Sequence, residues 1–569
     1  MPLTRRSATQ DLGRWIRADS TKRQPMGSSP LTGSDRTAAT ARLDDAGPYV
    51  LAIDVGTSGP KAAIVSLHGR IVATARAHVD TIFLGDDGAE QDPEALWSAV
   101  KQACAAALRS SGVAAREVLA VICSSQYSSI VPVDRAGRPT MGMVLWLDKR
   151  GAPERLKRIE GYPRRADTPL RLLRWLRIHG LPPIDGGISL NHMRWIRHAR
   201  PDVYERTATF LEPMDFVTMR LTGRATANQC TAFMFLLTDN RRLGVTGYDH
   251  RLLAQSGIDP GRLPELVPLD AILGTVRPEV AAELGLDPAT RVVTGLNDTQ
   301  CGGLATAAFS GSHAAVSIGS TSVMIAHVDF KRTDVRHVIL SMPSPVPGRY
   351  FVMAENGMGG GTLEHFLQKL VYASDPFGEI TAADRFALLQ RAVADTPPGS
   401  GGVLFLPWMG GSMAPAAESR MRGGFLNLSL GTTRSHMARA VLEGVAMNLR
   451  WMMQPVERFA RRRFSHFVFY GGGAESDAWA QILADVLDTP VHQMDNPQYA
   501  NCLGAGLLAF QRLGKLGFED FASRVPIRRA YQPNAAHRAI YDGLSAQLVR
   551  SFARTRPIFR ALNATGAAG

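Results

Sequence analysis

The chain has 569 residues, 45% hydrophobic and 20% charged, which is an ordinary globular composition too long for one core, so two large domains are expected. No apolar run is long enough to cross a bilayer, and the N-terminus lacks the apolar core of a secretory signal, so neither a membrane partner nor export is expected. The net charge of +13 is concentrated at the ends, +3 within residues 1–46 and +7 within 511–569, with no nucleic-acid motif beside it, so specific nucleic-acid binding is not expected.

Residues 1–46 mix Arg, Ser, Thr, Gly and Pro without apolar periodicity and read as a disordered basic extension. Order begins with a buried strand, Tyr49–Asp54, closed by Gly56-Thr57-Ser58-Gly59-Pro60. Lys61–Ser66 is a second strand and Ile71–Ala77 a third, separated by the turn His68-Gly69. Glu94–Leu108 has helical apolar spacing, Val118–Ser124 and Met143–Trp146 read as strands, and residues 150–265 read as mainly helical.

Around Val292 the pattern restarts. Arg291–Gly295 is a strand leading to Asn297-Asp298 and a helix over Gln300–Ala308. Ala314–Ile318, the turn Gly319-Ser-Thr-Ser322 and Val323–Val328 then repeat the strand, small-residue turn, strand design of residues 49–66, which suggests two related domains. Helix Ser435–Arg461, strand Phe467–Phe469, the Gly471-Gly-Gly473 loop and helix Ser476–Leu487 follow. The expected division is an N-terminal domain over 47–290, a C-terminal domain over 291–540 and a basic tail over 541–569. Cys104, Cys123, Cys230, Cys301 and Cys502 are odd in number and scattered without CxxC spacing, which fits reduced thiols in the cytoplasm.

A nucleoside triphosphate needs backbone N–H groups and hydroxyls around its phosphates, a carboxylate near its metal, and a cation. Asp54-Val-Gly-Thr-Ser-Gly-Pro-Lys61 supplies all of these in eight residues, although an ordinary hairpin turn would look similar, and GxxxxGK[ST] is absent. Gly319–Ser322 offers a second small-residue turn at the matching place in the second half. Gly471–Gly473 lies between a strand and a helix for which Ser476 is a plausible N-cap; it is either a bare backbone against a nucleotide or a connector. Asp298, between a strand and a helix, fits either a general base for phosphoryl transfer or a helix N-cap.

These segments, in this order, resemble the FGGY family of carbohydrate kinases. Gly88-Ala-Glu-Gln-Asp-Pro93 with Trp97 resembles the family's "EQDP…W" stretch, and Trp146-Leu-Asp-Lys-Arg150 its "W-x-D-x-R". Gly187–His198 resembles the helix carrying Trp195, Leu221-Thr-Gly223 the "LTG", and Gly295–Asp298 the "GGGD". Arg439–Gly444, Gly471–Ser476, Ala484-Asp485 and Gly504-Ala505 match the C-terminal domain. The resemblance implies a duplicated ribonuclease-H-like, actin-like ATPase fold of α/β class, with ATP and a sugar in the cleft between lobes. It implies Asp298 as general base, Asp54 as the residue positioning Mg²⁺, and Gly56, Thr57, Ser58, Lys61, Gly319, Ser320 and Thr321 around the phosphates. Gly471, Gly472 and Gly473 would flank the nucleoside, while Gln126, Tyr127, Ser128 and Trp146 join Asp298 on the substrate side.

Departures bear on the acceptor. Pentulose kinases show "GQMHG" where this chain has Ser125-Gln-Tyr-Ser-Ser129, so Ser128 replaces the sugar-contacting His. His192 replaces a customary Lys, and Gly411-Ser-Met-Ala-Pro415 lacks the charges of "GERxP". The likeness is greatest to xylulokinase-type members, so D-xylulose or a related ketopentose is the expected acceptor, in a protein that could form a homodimer. The alternatives are a kinase for another sugar, polyol or sugar acid, and a non-catalytic sensor on the same fold.

Overall fold

The structure, a computed structural model, describes residues 47–85, 87–160, 168–375, 378–380 and 384–564. The expected extension over 1–46 and the last five residues of the expected tail lie outside the described residues. The chain divides into two units. The first takes residues up to Ala305 together with Met342–Gly348 and Asn501–Arg524; the second takes Thr306–Ser341, Arg349–Ala500 and the residues from Val525.

The first unit is built on a six-stranded sheet. Its strands are β1 (Tyr49–Gly56), β2 (Gly59–Ser66), β3 (Ile71–Arg76), β4 (Val118–Ser125), β5 (Ile272–Thr275) and β6 (Arg291–Asn297), in the order β5-β6-β4-β1-β2-β3. Val50 to Ile53 and Val55 are all buried, as expected of a strand covered on both faces. The β1–β2 hairpin closes on Gly56 opposite Gly59. Gly59 has φ 125°, and a Cβ there would stand 2.3 Å from the Ala77 carbonyl oxygen, so only glycine lets the hairpin lie against β3's continuation. Helix Pro93–Ser111 is started by Asp92, whose side chain accepts from Glu94 N, and is stopped by Gly112 at φ 66°; it buries Leu96, Trp97, Val100 and Cys104 against this sheet.

The second unit carries an eight-stranded sheet that includes β7 (Ala314–Ile318), β8 (Thr321–Val328), β9 (Tyr350–Met358), β10 (Phe467–Tyr470), β11 (Val491–Met494) and β12 (Ile527–Tyr531). These run in the order β9-β8-β7-β10-β11-β12, and two short strands beyond β9 complete the sheet. Across the six, the pairings are antiparallel, antiparallel, parallel, parallel and antiparallel. The first unit read from β3 to β5 gives the same sequence of senses. The repeat suggested by the two strand-turn-strand patterns is therefore a duplication of the whole sheet topology.

Several sequence boundaries move. Strand Arg291–Asn297 pairs in parallel with β4, so the first unit runs to Ala305 and not to 290; a strand takes its place from its hydrogen-bond partners, which the sequence does not display. The helix expected over 300–308 spans Asp298–Ala305 and is followed by a turn in which Ala307 has φ 50°. Residues 150–265 hold helices, but also the strands Thr209–Leu211 and Thr226–Ala227 and a long irregular stretch after Phe235. The stretch set apart as a basic tail belongs to a 25-residue helix, Arg538–Leu562, which buries Tyr541, Leu548 and Phe552. Its apolar stripe anchors it to helix Arg434–Ala460 of the same unit, with Phe552 5.0 Å from Trp408 and from Trp451 between ring centres.

Candidate active site

In the first unit, the parallel registers bring the C-terminal ends of β1, β4 and β6 together, with Asp54 beside Ser124 and Asn297 beside Ser125. The C-terminal ends of such parallel strands are where ligands collect in α/β folds. Asp54 is 4% exposed. Ser124 Oγ donates to its Oδ1 at 2.8 Å and Asn501 Nδ2 to its Oδ2 at 3.3 Å. Lys61 stands opposite Asp54 across the hairpin, so the ammonium and the carboxylate share one face of the sheet.

The hairpin tip is held from three sides. Gln91 Nε2 donates to Thr57 O at 2.7 Å, Thr57 Oγ1 donates to Gln126 Oε1 at 2.5 Å, and Trp146 Nε1 donates to both Thr57 Oγ1 and Gln126 Oε1 at 3.1 Å. Thr57, Gln126 and Trp146, singled out separately in the sequence, are thus one cluster. Ser58 is exposed at the tip. Behind it, Arg150 pairs with Glu90 at 2.5 Å and with Asp148 at 2.7 Å, and its guanidinium lies 3.9 Å from the centre of the Trp195 ring. The "EQDP", "W-x-D-x-R" and Trp195 segments therefore meet at Arg150.

Asp298 opens helix Asp298–Ala305 immediately after β6. Asn297 provides the cap, its Oδ1 accepting from Thr299 N at 3.0 Å and Gln300 N at 3.3 Å. Asp298 Oδ1 accepts from Thr299 N at 2.6 Å and from Asn297 Nδ2 at 2.8 Å. Burial and then the Asp54 charge push the Asp298 carboxyl up to about 7, against the hydrogen bonds that favour its ionised form. Tyr127 is buried with its hydroxyl engaged internally, donating to Cys230 O and accepting from Gln300 Nε2, both at 3.0 Å. Ser128 is buried in the left-handed region at φ 62°. Ser129 N, next to it, donates to Glu212, whose carboxyl is raised well above its usual range by burial. His192 is buried, and burial pulls its imidazole down to about 4, so it is neutral at pH 7.

In the second unit, Gly319-Ser320 is exposed, and the turn after β7 is laced to a glycine run. Gly359 N donates to Ser320 O at 2.9 Å and Gly360 N to Gly319 O at 2.8 Å. A Cβ on Gly360 would stand 2.5 Å from Gly319 O. A Cβ on Gly471, at φ 89°, would stand 2.8 Å from Ile318 O, so the Gly319 and Gly471 turns are neighbours. Ser476 caps the following helix, its side chain accepting from Trp479 N at 3.2 Å. Cβ atoms built on Gly319 and Gly472 meet nothing within 4 Å, so both backbones face open space, as a phosphate or nucleoside cradle requires. Glu355 on β9 is pushed up to about 7 by burial, with Thr321 hydrogen-bonding it in opposition. No group of three or more His, Cys, Asp or Glu side chains among the described residues is placed to hold a metal. The single carboxylate of Asp54 would suit a hydrated Mg²⁺, with water and phosphate oxygens supplying the other ligands.

Asn501, Asn297, Glu355 and the Gly359–Gly361 run were not singled out from the sequence. The three consecutive glycines were a visible signal; the asparagines carry none without their partners.

A model of the FGGY family of carbohydrate kinases, N-terminal domain, matches residues 49–305, and the C-terminal domain of the same family matches residues 314–512. The chain belongs to the FGGY family of carbohydrate kinases. Xylulose kinase of Bacillus subtilis is 27% identical over 461 residues, covering 81% of this chain and 87% of that protein. Gluconokinase of the same organism is 26% identical over 483 residues, covering 84% and 90%. An autoinducer-2 kinase of Enterobacter sp. is 27% identical over 519 residues, covering 87% and 92%. The crystal structure of gluconate kinase from Lactobacillus acidophilus superposes with a TM-score of 0.76 at 21% identity, covering 89% of this chain and 98% of that one. Xylulose kinase from Rhodospirillum rubrum gives 0.74 at 24% identity, covering 90% and 99%. The duplicated ribonuclease-H-like, actin-like α/β fold is shared with them. As an FGGY kinase the chain is an ATP-dependent phosphotransferase with a sugar alcohol group as acceptor. Among the described residues, no helix is long and apolar enough to cross a membrane.

Proposed function

We propose that this FGGY kinase transfers the γ-phosphoryl group of Mg-ATP to a hydroxyl of D-xylulose or a related ketopentose, with Asp298 taking the hydroxyl proton. The observation that carries this reading is Asp298 itself, a carboxyl with Oδ1 fixed by two donors and its affinity for a proton brought to about 7, where a general base works best near neutral pH. Asp54, beside it in charge and anchored by Ser124 and Asn501, orients the hydrated metal. Gly56, Thr57, Ser58 and Lys61 in the N-terminal sugar-binding domain, and Gly319, Ser320 and Thr321 in the C-terminal nucleotide-binding domain, hold phosphate oxygens. Gly471, Gly472 and Gly473 lie against the nucleoside. Gln126, Tyr127, Ser128 and Trp146 shape the acceptor side, Gln126 and Trp146 through their shared bond to Thr57.

The ketopentose reading draws on kinship with xylulose kinases. The gluconokinase kinship, at equal extent, makes a sugar acid the second acceptor class. A cytoplasmic homodimer is the proposed form; the five cysteines are all free and buried, in keeping with a reducing compartment. The test is ADP release from Mg-ATP across ketopentoses, aldoses, polyols and sugar acids. D-xylulose or another ketopentose is expected to stimulate release, and Asp298→Ala to lose nearly all turnover while still binding ATP. Turnover undiminished in Asp298→Ala would remove the base, and stimulation by sugar acids alone would replace the acceptor.

A further inference from the structure

Helix Arg434–Ala460 ends at Arg461, in the left-handed region at φ 57°, and the chain continues through Arg462 and Arg463 into β10. A cavity of about 380 Å³ lies here, lined by Gln454, Glu457, Arg458, Arg461, Arg462 and Arg463. It borders the entry of β10, whereas the Gly471 turn follows that strand's exit.

Four guanidinium groups face one carboxylate, and that carboxylate is already engaged. Glu457 Oε2 accepts from Arg463 Nη1 at 2.6 Å and Oε1 from Phe464 N at 3.0 Å. Arg458 is exposed and has no ion pair among the described residues. Arg461 lies 4.6 Å from the centre of the Phe330 ring. Nε and Nη2 of Arg462 are buried without a hydrogen-bond partner among the described residues. Arg349 adds a further positive charge that acts on Arg462, and Asp329 offsets part of it.

Arginines at a helix C-terminus commonly serve the last carbonyls. Here backbone amides do so: Arg461 N and Arg462 N both donate to Glu457 O. Buried N–H groups without an acceptor are costly, and a planar fork of them matches phosphate oxygens.

We propose that this cavity binds a small phosphate-bearing anion, inorganic phosphate or a phosphate monoester, at a site separate from the phosphoryl-transfer residues. It goes beyond the proposed function and holds whichever sugar the enzyme phosphorylates. Arg458, Arg461 and Arg462 supply the donors, and Glu457 fixes Arg463 at the rim.

The test uses the full chain with Mg-ADP at saturation, so that the nucleotide residues are filled. Orthophosphate and glucose 6-phosphate are titrated by calorimetry and thermal shift at constant ionic strength, with KCl as control. Both anions are expected to raise Tm above the KCl control, and Arg458→Gln and Arg462→Gln each to weaken binding about tenfold, the cost of one charge-assisted bond, without changing Mg-ADP affinity. Tighter binding of the ester than of orthophosphate identifies a phosphorylated metabolite, and equal binding identifies the inorganic ion. Arg458→Gln is a surface change, so it carries the test even if Arg462→Gln folds poorly. No response above KCl, or an undiminished response in Arg458→Gln, overturns the site.

Discussion

Asn297 and Asp298 divide two tasks between adjacent side chains: Asn297 Oδ1 caps the helix by accepting from the Thr299 and Gln300 amides, while its Nδ2 donates to Asp298 Oδ1 at 2.8 Å. The capping role that the sequence left open for Asp298 is filled by its neighbour. What remains for Asp298 is a carboxyl whose proton affinity is set by burial, by Asp54 and by these donors.

With Asp298 raised to about 7, kcat/KM for the acceptor is expected to rise with pH through that value as this carboxyl, the proposed base, loses its proton. Asn297→Ala removes a donor that favours the ionised form and should move this limb to higher pH. Asp54→Asn removes a like charge and should move the Asp298 titration to lower pH, followed by NMR because that variant also loses activity. The unfolded carboxyl ionises near 3.8, so folding loses stability as pH climbs from about 4 to about 7, and Asp298→Asn should melt above the parent at pH 8. A pH limb unmoved in Asn297→Ala would contradict the assignment.

Gly504 brings two helix backbones into contact, since a Cβ there would stand 1.8 Å from Cys301 O in the helix that Asp298 opens. Gly504→Ala must push helix Ala500–Arg512 and helix Asp298–Ala305 apart, at a cost of about 2 kcal/mol or more, measured by chemical denaturation. Gly424→Ala, where a Cβ meets nothing within 4 Å, should stay within about 0.5 kcal/mol of the parent.

Gly472 allows stability and ligand contact to be separated. A Cβ there meets no protein atom, so Gly472→Ala should leave Tm unchanged while weakening ATP binding at least about tenfold if the nucleoside packs on this backbone. Unchanged ATP affinity, by calorimetry, would move the nucleoside elsewhere.

Glu443 is fully buried and accepts from Arg439 Nε at 2.7 Å, Tyr541 Oη at 2.8 Å, Gly399 N at 3.0 Å and Ser400 Oγ at 2.7 Å. Glu443→Ala leaves Arg439 with an uncompensated buried charge and should cost about 3–5 kcal/mol. Deleting residues 538–569 removes Tyr541 and the Phe552 contacts and should lower Tm by several degrees, which would show that the basic C-terminal helix is structural. An unchanged Tm would return it to the status of a tail.

Much of the site was legible because its chemistry is local. Asp54 through Lys61 is one hairpin, and its Gly, Thr and Lys fall where a tight antiparallel turn needs small residues and polar tips. Arg150 was legible only as part of a motif; that it joins Glu90, Asp148 and Trp195 depends on four separate segments. Asn501 was not legible, because its meaning lies in one hydrogen bond to Asp54. The strand at Arg291 was found but put in the wrong unit, since strand propensity says nothing of which neighbour it will pair with. The C-terminal helix was hidden by its arginines, which mask a stripe of Tyr541, Leu548 and Phe552 spaced for one face.

The bond between Asn501 and Asp54 spans 447 positions of the chain. During synthesis, β1 and its hairpin emerge early, but the segment Asn501–Arg524 that completes their unit emerges only after most of the second unit has been made. The Asp54 carboxylate is therefore left without one of its two anchors until translation is nearly over. A nascent chain halted before residue 500 would present a first unit whose sheet can form and whose site cannot.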